Sequence, residues 1–313
     1  MLGKTAGGLF WMFRYLERAE NTARLVDAGF RIALTRQSPG QDDWASVIAT
    51  AGVRAPFLDR HEEFTFDTVV DFLLRDTKNP SSVMSVIESA RNNARMVRTA
   101  LTREVWEATN ECWMVLKELL RRPVKERELP EVLGIIRQQA GLVRAAMHGT
   151  MLRNDIFDFS RIGTFLERAD NTARILDVKY YVLLPSALQV GSKLDNVQWE
   201  MILRSVSAQR SFRWLHHGEA SSMAIADFLI LDRRMPRSLA FCYTKIVDNL
   251  DYLAEDYGLR HPCHELAERQ NARLKNKPID TVFDIGLHEF IEDFIDKNNA
   301  LGSQIEKDYR FNE

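Results

Sequence analysis

Residues 16–27 read LERAENTARLVD, and residues 166–177 read LERADNTARILD. Nine of the twelve paired positions are identical, and the other three exchange similar side chains. A match of this length at a constant offset is far beyond chance, and it indicates a tandem duplication. We therefore expect two related halves, approximately residues 1–150 and 151–313, facing each other across a pseudo-twofold axis.

The similarity between the halves continues beyond these twelve residues. Residues 70–74 (VDFLL) are matched by residues 226–230 (ADFLI), and Trp44 is matched by Trp199. Small changes in the offset indicate insertions in loops between helices. At the offset of the VDFLL segment, further matches pair Asp76 with Asp232, Pro80 with Pro236, and Ser82 with Ser238.

The hydrophobic pattern predicts helices throughout. Apolar residues recur every three or four positions along the first repeat, as in Leu9, Phe13, Leu16, Ala23 and Val26. Alternating β-branched segments are nearly absent, and only nine prolines and fifteen glycines interrupt the chain. We therefore expect an all-α, multi-helix bundle of roughly ten to twelve helices, with the whole chain forming a single domain.

Composition excludes several classes of protein. Charged residues make up 27% of the chain with a net charge of −2, which does not favour binding to nucleic acid. No apolar run reaches the roughly 18–20 residues of a membrane span, and no signal peptide is apparent. The three cysteines form no CxxC motif, as is typical of reduced thiols. We expect a cytoplasmic protein without nucleic-acid or membrane partners.

The repeated helices carry charged residues on or beside their apolar stripes. On an α-helix, Glu20 and Asp27 fall within the stripe, while Glu17 and Arg24 lie at its edge. Arg24 is spaced to reach both Glu20 and Asp27. The second repeat carries the same ladder as Glu167, Asp170, Arg174 and Asp177.

A second polar line on the first repeat helix comprises Arg14, Arg18 and Asn21, and it is predicted to point more toward solvent. The motif arginine of the second repeat that corresponds to Arg18 is Arg168.

Three interpretations of the ladders remain open, because charges on a core face are costly unless they are paired. They can form a structural ion-pair network that fixes how the two repeat helices cross. They can instead bind a charged amino acid or peptide, since arginine and carboxylate recognise such groups through paired hydrogen bonds. A divalent-metal site built from Glu17, Glu20, Glu167 and Asp170 is the third possibility, although Arg24 and Arg174 oppose a cation.

Another basic line is formed by Arg91, Arg95 and Arg98 at i, i+4 and i+7. Unpaired, these side chains would repel one another. They are expected to dock on the acidic ladder, to bind an anion such as phosphate, or to form a solvated face.

Several longer motifs resemble the bacterial alpha-E domain family, an all-helical family named for its Glu-Arg motif. They are TAGGLFWMFRYLERAENTARLVD (5–27), ARNNARMVR (90–98), HGTMLRNDIFDFSRIGTFLERADNTARILDVKYYVLLP (148–185), FLILDRRMPRSL (228–239) and LHEFIEDFIDKNNALG (287–302), together with Trp106. The resemblance covers nearly the whole chain. It departs at Asn92, where the family pattern usually has an acid.

The resemblance implies a functional setting rather than a reaction. Similar proteins are encoded or fused beside circularly permuted ATP-grasp ligases and transglutaminase-like proteases. We therefore expect a helical accessory protein that acts with an ATP-grasp amide ligase on a peptide-like product. Homo-oligomers are possible, and no cofactor or resident metal is expected.

No self-sufficient catalytic constellation appears in the sequence, so the prediction leans away from an enzyme and the catalytic residues stay unknown. The alternative enzyme would use Glu17 or Glu167 as acid or base. The candidate site or central polar network comprises Glu17, Arg18, Glu20, Arg24, Asp27, Glu167, Arg168, Asp170, Arg174, Asp177, Arg91, Arg95 and Arg98.

Overall fold

All regular structure in the described part of the chain is helical. The computed structural model describes residues 1–34, 41–183, 193–216 and 221–312. The helices of the first half are α1 (Gly3–Ala33), α2 (Gln41–Thr50), α3 (Arg54–Leu58), α4 (Phe66–Leu74), α5 (Val83–Met96), α6 (Arg103–Leu119) and α7 (Leu129–Thr150). The helices of the second half are α8 (Asp155–Leu183), α9 (Lys193–Ser205), α10 (Gln209–Leu215), α11 (Ser222–Ile230), α12 (Leu239–Tyr257), α13 (Pro262–Asn276), α14 (Ile279–Ile285) and α15 (Leu287–Asp308).

The all-α prediction is confirmed, but the described ranges hold fifteen α-helices rather than ten to twelve. The additional ones are short: α3 has five residues, and α10 and α14 have seven each. A helix of fewer than two turns is too short to show a clear helical period of apolar residues in the sequence. Two of the prolines at which the sequence predicts helix breaks, Pro39 in Ser38-Pro39-Gly40 and Pro185 after Leu184, lie outside the described residues.

Helix starts follow local capping chemistry. The N-cap hydroxyl accepts a hydrogen bond from the backbone N–H three residues later, which satisfies one of the free donors of the first turn. Such caps are formed by Thr65, Ser82, Thr102, Ser221 and Ser238. Pro130 and Pro262 occupy the first turn of their helices, where the missing N–H costs nothing.

The two long repeat helices, α1 and α8, pack against each other at the centre of the molecule. Gly163 permits their close approach, because a Cβ at this position would lie 2.3 Å from the carbonyl oxygen of Phe10. α1 is buried on nearly all sides, which explains why its polar motif residues are enclosed.

The remaining helices surround this central pair and cross between the halves. α5 and α7 pack on α1, while α12 and α15 pack on α8. α2 from the first half lies against α8, and α9 from the second half lies against α1. The apolar side chains of both halves form one continuous core.

Contacts of the same kind recur at positions that match between the halves. The rings of Phe57 and Phe72 meet edge to face at 5.2 Å, and those of Phe212 and Phe228 meet in the same way at 5.5 Å. A histidine ring lies against each pair, and these histidines are His61 and His216.

Within the described residues, no helix has both the length and the apolarity that crossing a bilayer requires.

Candidate functional site

Glu17 lies at the crossing of α1 and α8 and is fully buried. Its two oxygens accept hydrogen bonds from Nε and Nη2 of Arg168 at 2.9 and 3.0 Å, so one guanidinium binds the carboxylate through a paired contact. Arg144 on α7 and Arg237 before α12 each donate from Nη1 at 3.2 Å. Burial alone would raise the pKa of Glu17, but the three guanidinium groups hold that pKa well below its ordinary value.

Glu20 lies one turn further along α1 and shares two of these arginines. Arg24 donates to Glu20 Oε1 from Nε at 2.9 Å and from Nη2 at 2.7 Å. Arg144 and Arg237 also donate to the Glu20 carboxylate. Burial and the nearby Glu17 charge raise the pKa of Glu20, yet the three arginines outweigh both and lower it.

Glu167 on α8 forms the reciprocal pair. Its carboxylate accepts from Arg18 Nε at 2.5 Å, from Arg18 Nη2 at 3.0 Å and from Arg14 Nε at 2.9 Å. Despite burial, these contacts lower the pKa of Glu167 to about 2. The two Glu-Arg dipeptides therefore bind each other crosswise, Glu17 to Arg168 and Glu167 to Arg18.

The next arginine of each ladder caps a helix from the opposite half. Arg24 pairs with Glu20 on α1, and its Nη1 donates to the Ser205 carbonyl oxygen at the end of α9, at 2.7 Å. Arg174 pairs with Asp170 on α8 through Nε at 2.7 Å, and its Nη1 donates to the carbonyl oxygen of Thr50, at the end of α2, at 3.2 Å. Cations at helix C-termini satisfy free carbonyls, so each ladder fixes a helix from the other half.

The turns after these two capped helices match in backbone conformation. Gly52 has a φ of +72° and Ser207 a φ of +57°. A Cβ on Gly52 would lie 3.0 Å from Nη1 of Arg174, so glycine leaves room for that guanidinium. Ser207 Oγ instead accepts a hydrogen bond from Arg24 Nη1 at 3.0 Å.

Asp27 departs from the predicted ladder. The spacing predicts a contact with Arg24, but Arg24 turns back to Glu20 and α9. Asp27 pairs instead with Arg31 at 3.0 Å and with Arg137 of α7 at 3.4 Å.

The corresponding Asp177 lies 2.7 Å from His288 Nδ1 of α15. Burial raises the pKa of Asp177, although His288 acts in the opposite direction.

The prediction that Arg14, Arg18 and Asn21 point toward solvent is wrong for Arg14 and Asn21, whereas Arg18 keeps 27% of its side chain exposed. Arg14 is only 9% exposed and Asn21 only 4% exposed. Both arginines bind Glu167, and Asn21 Nδ2 donates to the Glu167 carbonyl oxygen at 3.2 Å. A projection of one helix cannot reveal that α8 covers this face.

Of the three alternatives for the α5 arginines, docking on the acidic ladder is wrong. Arg91 lies over the ring of Trp113 at 4.0 Å, and Arg98 lies over Trp106 at 5.3 Å. Arg95 is exposed. This side of α5 faces α6, because the apolar side faces α1.

Two central members of the network were not predicted from the sequence. Arg144 lies in α7, outside the repeated segment, and contacts both motif carboxylates of α1. Arg237 lies near two other arginines, Arg233 and Arg234, and no spacing distinguishes it. Burial lowers the pKa of Arg237 to about 10, which leaves it charged at neutral pH.

A cleft of ≈ 260 Å³ opens beside the other end of the network. Arg18, Arg174, Glu167 and Asp170 line it together with Ser81 and other polar side chains. The network thus has a closed side at Glu17 and Glu20, where arginines fill the space, and an open side at Asp170.

The chemistry of the closed side is limited by its own charges. Glu17 and Glu20 are already bound by four arginines, which repel a metal ion and hold both carboxylates in the charged form. In the described ranges, no three or more His, Cys, Asp or Glu side chains are grouped to hold a metal ion.

Comparison with known proteins places the chain in a family. Residues 1–309 match Alpha-E, described as a predicted alpha-helical domain with a conserved ER motif. The chain is 23% identical, over 292 residues, to uncharacterised proteins of Mycobacterium bovis and Mycobacterium tuberculosis. That alignment covers 85% of this chain but 31% of each relative, so the chain spans about a third of their length. No solved structure matches it.

The family description names the Glu-Arg motif, which this chain carries at Glu17-Arg18 and again at Glu167-Arg168. With all but its last four residues matched, the chain belongs to the Alpha-E family of helical domains.

Proposed function

We propose that this chain is a helical accessory protein, non-catalytic or at most co-catalytic, that acts with a circularly permuted ATP-grasp amide ligase. Together they would make or modify a peptide-like product, and a transglutaminase-like protein is a further candidate partner. The relatives extend far beyond the matched region, as expected of a domain that works beside others.

The observation that carries this proposal is the crosswise pairing of the two motif glutamates. A general acid or base must exchange a proton near the working pH, and its pKa lies close to that pH. Glu17 and Glu167 are buried, and each accepts two hydrogen bonds from one arginine. These arginines lower the pKa of both carboxyl groups. They are suited to holding two helices together, which disfavours the acid–base alternative.

The metal alternative is disfavoured by the same charges. Each carboxylate of the proposed ligand set, Glu17, Glu20, Glu167 and Asp170, already binds at least one arginine. A divalent cation would have to displace these guanidinium groups and would then lie among them.

We also infer that the two halves arose by tandem duplication and are related by a pseudo-twofold axis. The reciprocal Glu-Arg pairs, the arginine caps on α2 and α9, and the matched aromatic pairs support this inference. Crosswise contact of identical segments is what a twofold relation produces.

We propose a cytoplasmic location. Cys112, Cys242 and Cys263 are free and buried. Burial raises the pKa of Cys112 and Cys242 to about 12, so both stay as thiols. Reduced cysteines are typical of that compartment.

The test is an affinity purification of the tagged full chain from its own cells, followed by mass spectrometry and ligase assays. We expect an ATP-grasp ligase in stoichiometric amount, with ligase turnover that depends on added chain. An untagged lysate is the control for background binding. Purified chain that turns over a substrate alone, or that recovers no ligase, would contradict the proposal.

A further inference from the structure

The open side of the polar network differs from the closed side at one matched position. Ser81 corresponds to Arg237, since both stand between a matched proline and a matched N-cap serine. Arg237 reaches into the network and binds Glu17, Glu20 and Asn21. Ser81 is too short to do so and lines the cleft of ≈ 260 Å³ instead.

Two of the three groups that correspond to the partners of Arg237 lack an equivalent donor, namely Asn171 and Asp170, whereas Glu167 accepts from Arg14 in addition to Arg18. Asn21 Oδ1 accepts from Arg237 Nη1 at 3.3 Å. Asn171, at the matched position of α8, is 6% exposed and lines the cleft, and its buried Oδ1 has no hydrogen-bond partner among the described residues. Buried polar atoms are nearly always bonded, so an unmatched acceptor beside a cleft indicates a missing donor.

The matched carboxylates show the same difference. Glu20 binds three arginines, namely Arg24, Arg144 and Arg237. Asp170 binds only Arg174 among the described residues, at 2.7 and 3.4 Å. An ionised carboxylate offers about four acceptor sites, so Asp170 can accept further donors.

The cleft also offers donors for an anion. Arg18 uses Nε and Nη2 on Glu167, and its Nη1 makes no hydrogen bond within the described part of the chain. Arg174 is another cationic side chain of the lining. Hydrogen-bond acceptors and donors thus line the same cleft, which suits a ligand that carries both a positive and a negative charge.

We propose that this cleft binds a guanidinium-bearing amino acid, either free or at the end of a peptide, with the ligand guanidinium in the position that Arg237 occupies on the closed side. Asp170 and Asn171 would accept from the guanidinium, and Arg18 and Arg174 would bind the ligand carboxylate. Guanidinium and carboxylate recognise each other through paired, directional hydrogen bonds.

An adjacent cleft favours a cationic ligand. It measures ≈ 330 Å³, is bordered by the same Arg174, and carries Asp177, Glu292 and Asp296. The carboxylates of these three side chains attract a cation to the region next to the proposed site. This proposal goes beyond the accessory role and does not depend on the identity of any protein partner.

The test is calorimetric titration of the purified full chain with L-arginine. Agmatine, which lacks the carboxylate, and citrulline, which lacks the charged guanidinium, should each bind at least about tenfold more weakly. In Ser81→Arg the new side chain should occupy the site and abolish arginine binding. The matched control Gln138→Arg adds the same charge on the exposed side of α7 and should bind arginine like the wild type.

A second variant keeps the proposal testable if Ser81→Arg does not fold. Should Ser81→Arg fail to fold, Asp170→Asn should weaken arginine binding at least about tenfold. Several outcomes would overturn the proposal: no saturable arginine binding, unchanged binding by a folded Ser81→Arg, or equal binding of citrulline. Binding of inorganic phosphate without binding of arginine would also overturn it, because it would identify a simple anion site. None of these results depends on recovering a ligase.

Discussion

At the scale of single residues, the motif glutamates contribute stability that depends on pH. The pKa of Glu167 falls from 4.5 to about 2 on folding, so the unfolded chain binds more protons between these values. The contribution, about 3 kcal/mol, is complete above pH 4.5 and is lost as the pH falls toward 2. Urea unfolding measured between pH 6 and about 2.5 should show a shallower decline for Glu167→Gln than for the wild type. Equal slopes would contradict the assigned pKa.

The arginine partner is expected to be specific in shape as well as charge. Arg168→Lys keeps the charge but cannot form both parallel bonds to Glu17, so the free energy of unfolding should fall by about 2 kcal/mol. The matched control is Arg103→Lys on α6, where the arginine side chain is 79% exposed and pairs with Glu107. That change should leave the free energy of unfolding nearly unchanged, because solvent screens the pair. Equal losses in the two variants, measured by urea unfolding, would refute the paired geometry.

At the scale of helices, Gly163 sets the distance between α1 and α8. A Cβ there would meet the Phe10 carbonyl at 2.3 Å, so Gly163→Ala should push the helices apart and lower the free energy of unfolding by about 1–3 kcal/mol. Gly134→Ala on α7 is the control, because nothing lies within 4 Å of its Cβ position. There, alanine should stabilise the protein by about 0.5–1 kcal/mol. Thermal unfolding of both variants should show a loss of stability for Gly163→Ala and a gain for Gly134→Ala. Equal effects in the two variants would contradict the close packing of α1 and α8.

The sequence predicts elements better than the contacts between them. The three-and-four spacing predicts α1 and α8, and the i, i+4 spacing predicts the pairs of Arg24 with Glu20 and of Arg174 with Asp170. The role of Arg144 could not be predicted, since it depends on how α7 packs on α1. The helical period of one segment contains no information about that packing.

Burial of the polar line on α1 escapes prediction for a related reason. Arg14 looks solvent-directed on a single helix, and only the position of α8 turns it into a partner of Glu167. The difference between Ser81 and Arg237 is visible in the aligned halves, but its meaning requires the cleft.

At the scale of the molecule, the halves depend on each other. α2 packs on α8 and α9 packs on α1, so each half alone would expose a large apolar surface. Fragments 1–152 and 153–313, divided beside the exposed Leu152, should be insoluble or unfolded when expressed singly and should copurify when expressed together. Circular dichroism and size-exclusion chromatography check this. A soluble, helical, monomeric fragment 1–152 would contradict mutual dependence.

The central claim is that the Glu-Arg motif joins the two halves rather than performing catalysis, and Glu17→Gln tests it most directly. Equilibrium urea unfolding should show a loss of about 3–5 kcal/mol, because three guanidinium groups lose a buried charged partner. Glu111→Gln, an exposed glutamate on α6, should change the free energy of unfolding by less than about 0.5 kcal/mol. A Glu17→Gln protein as stable as the wild type would contradict the account and return Glu17 to the candidates for catalysis.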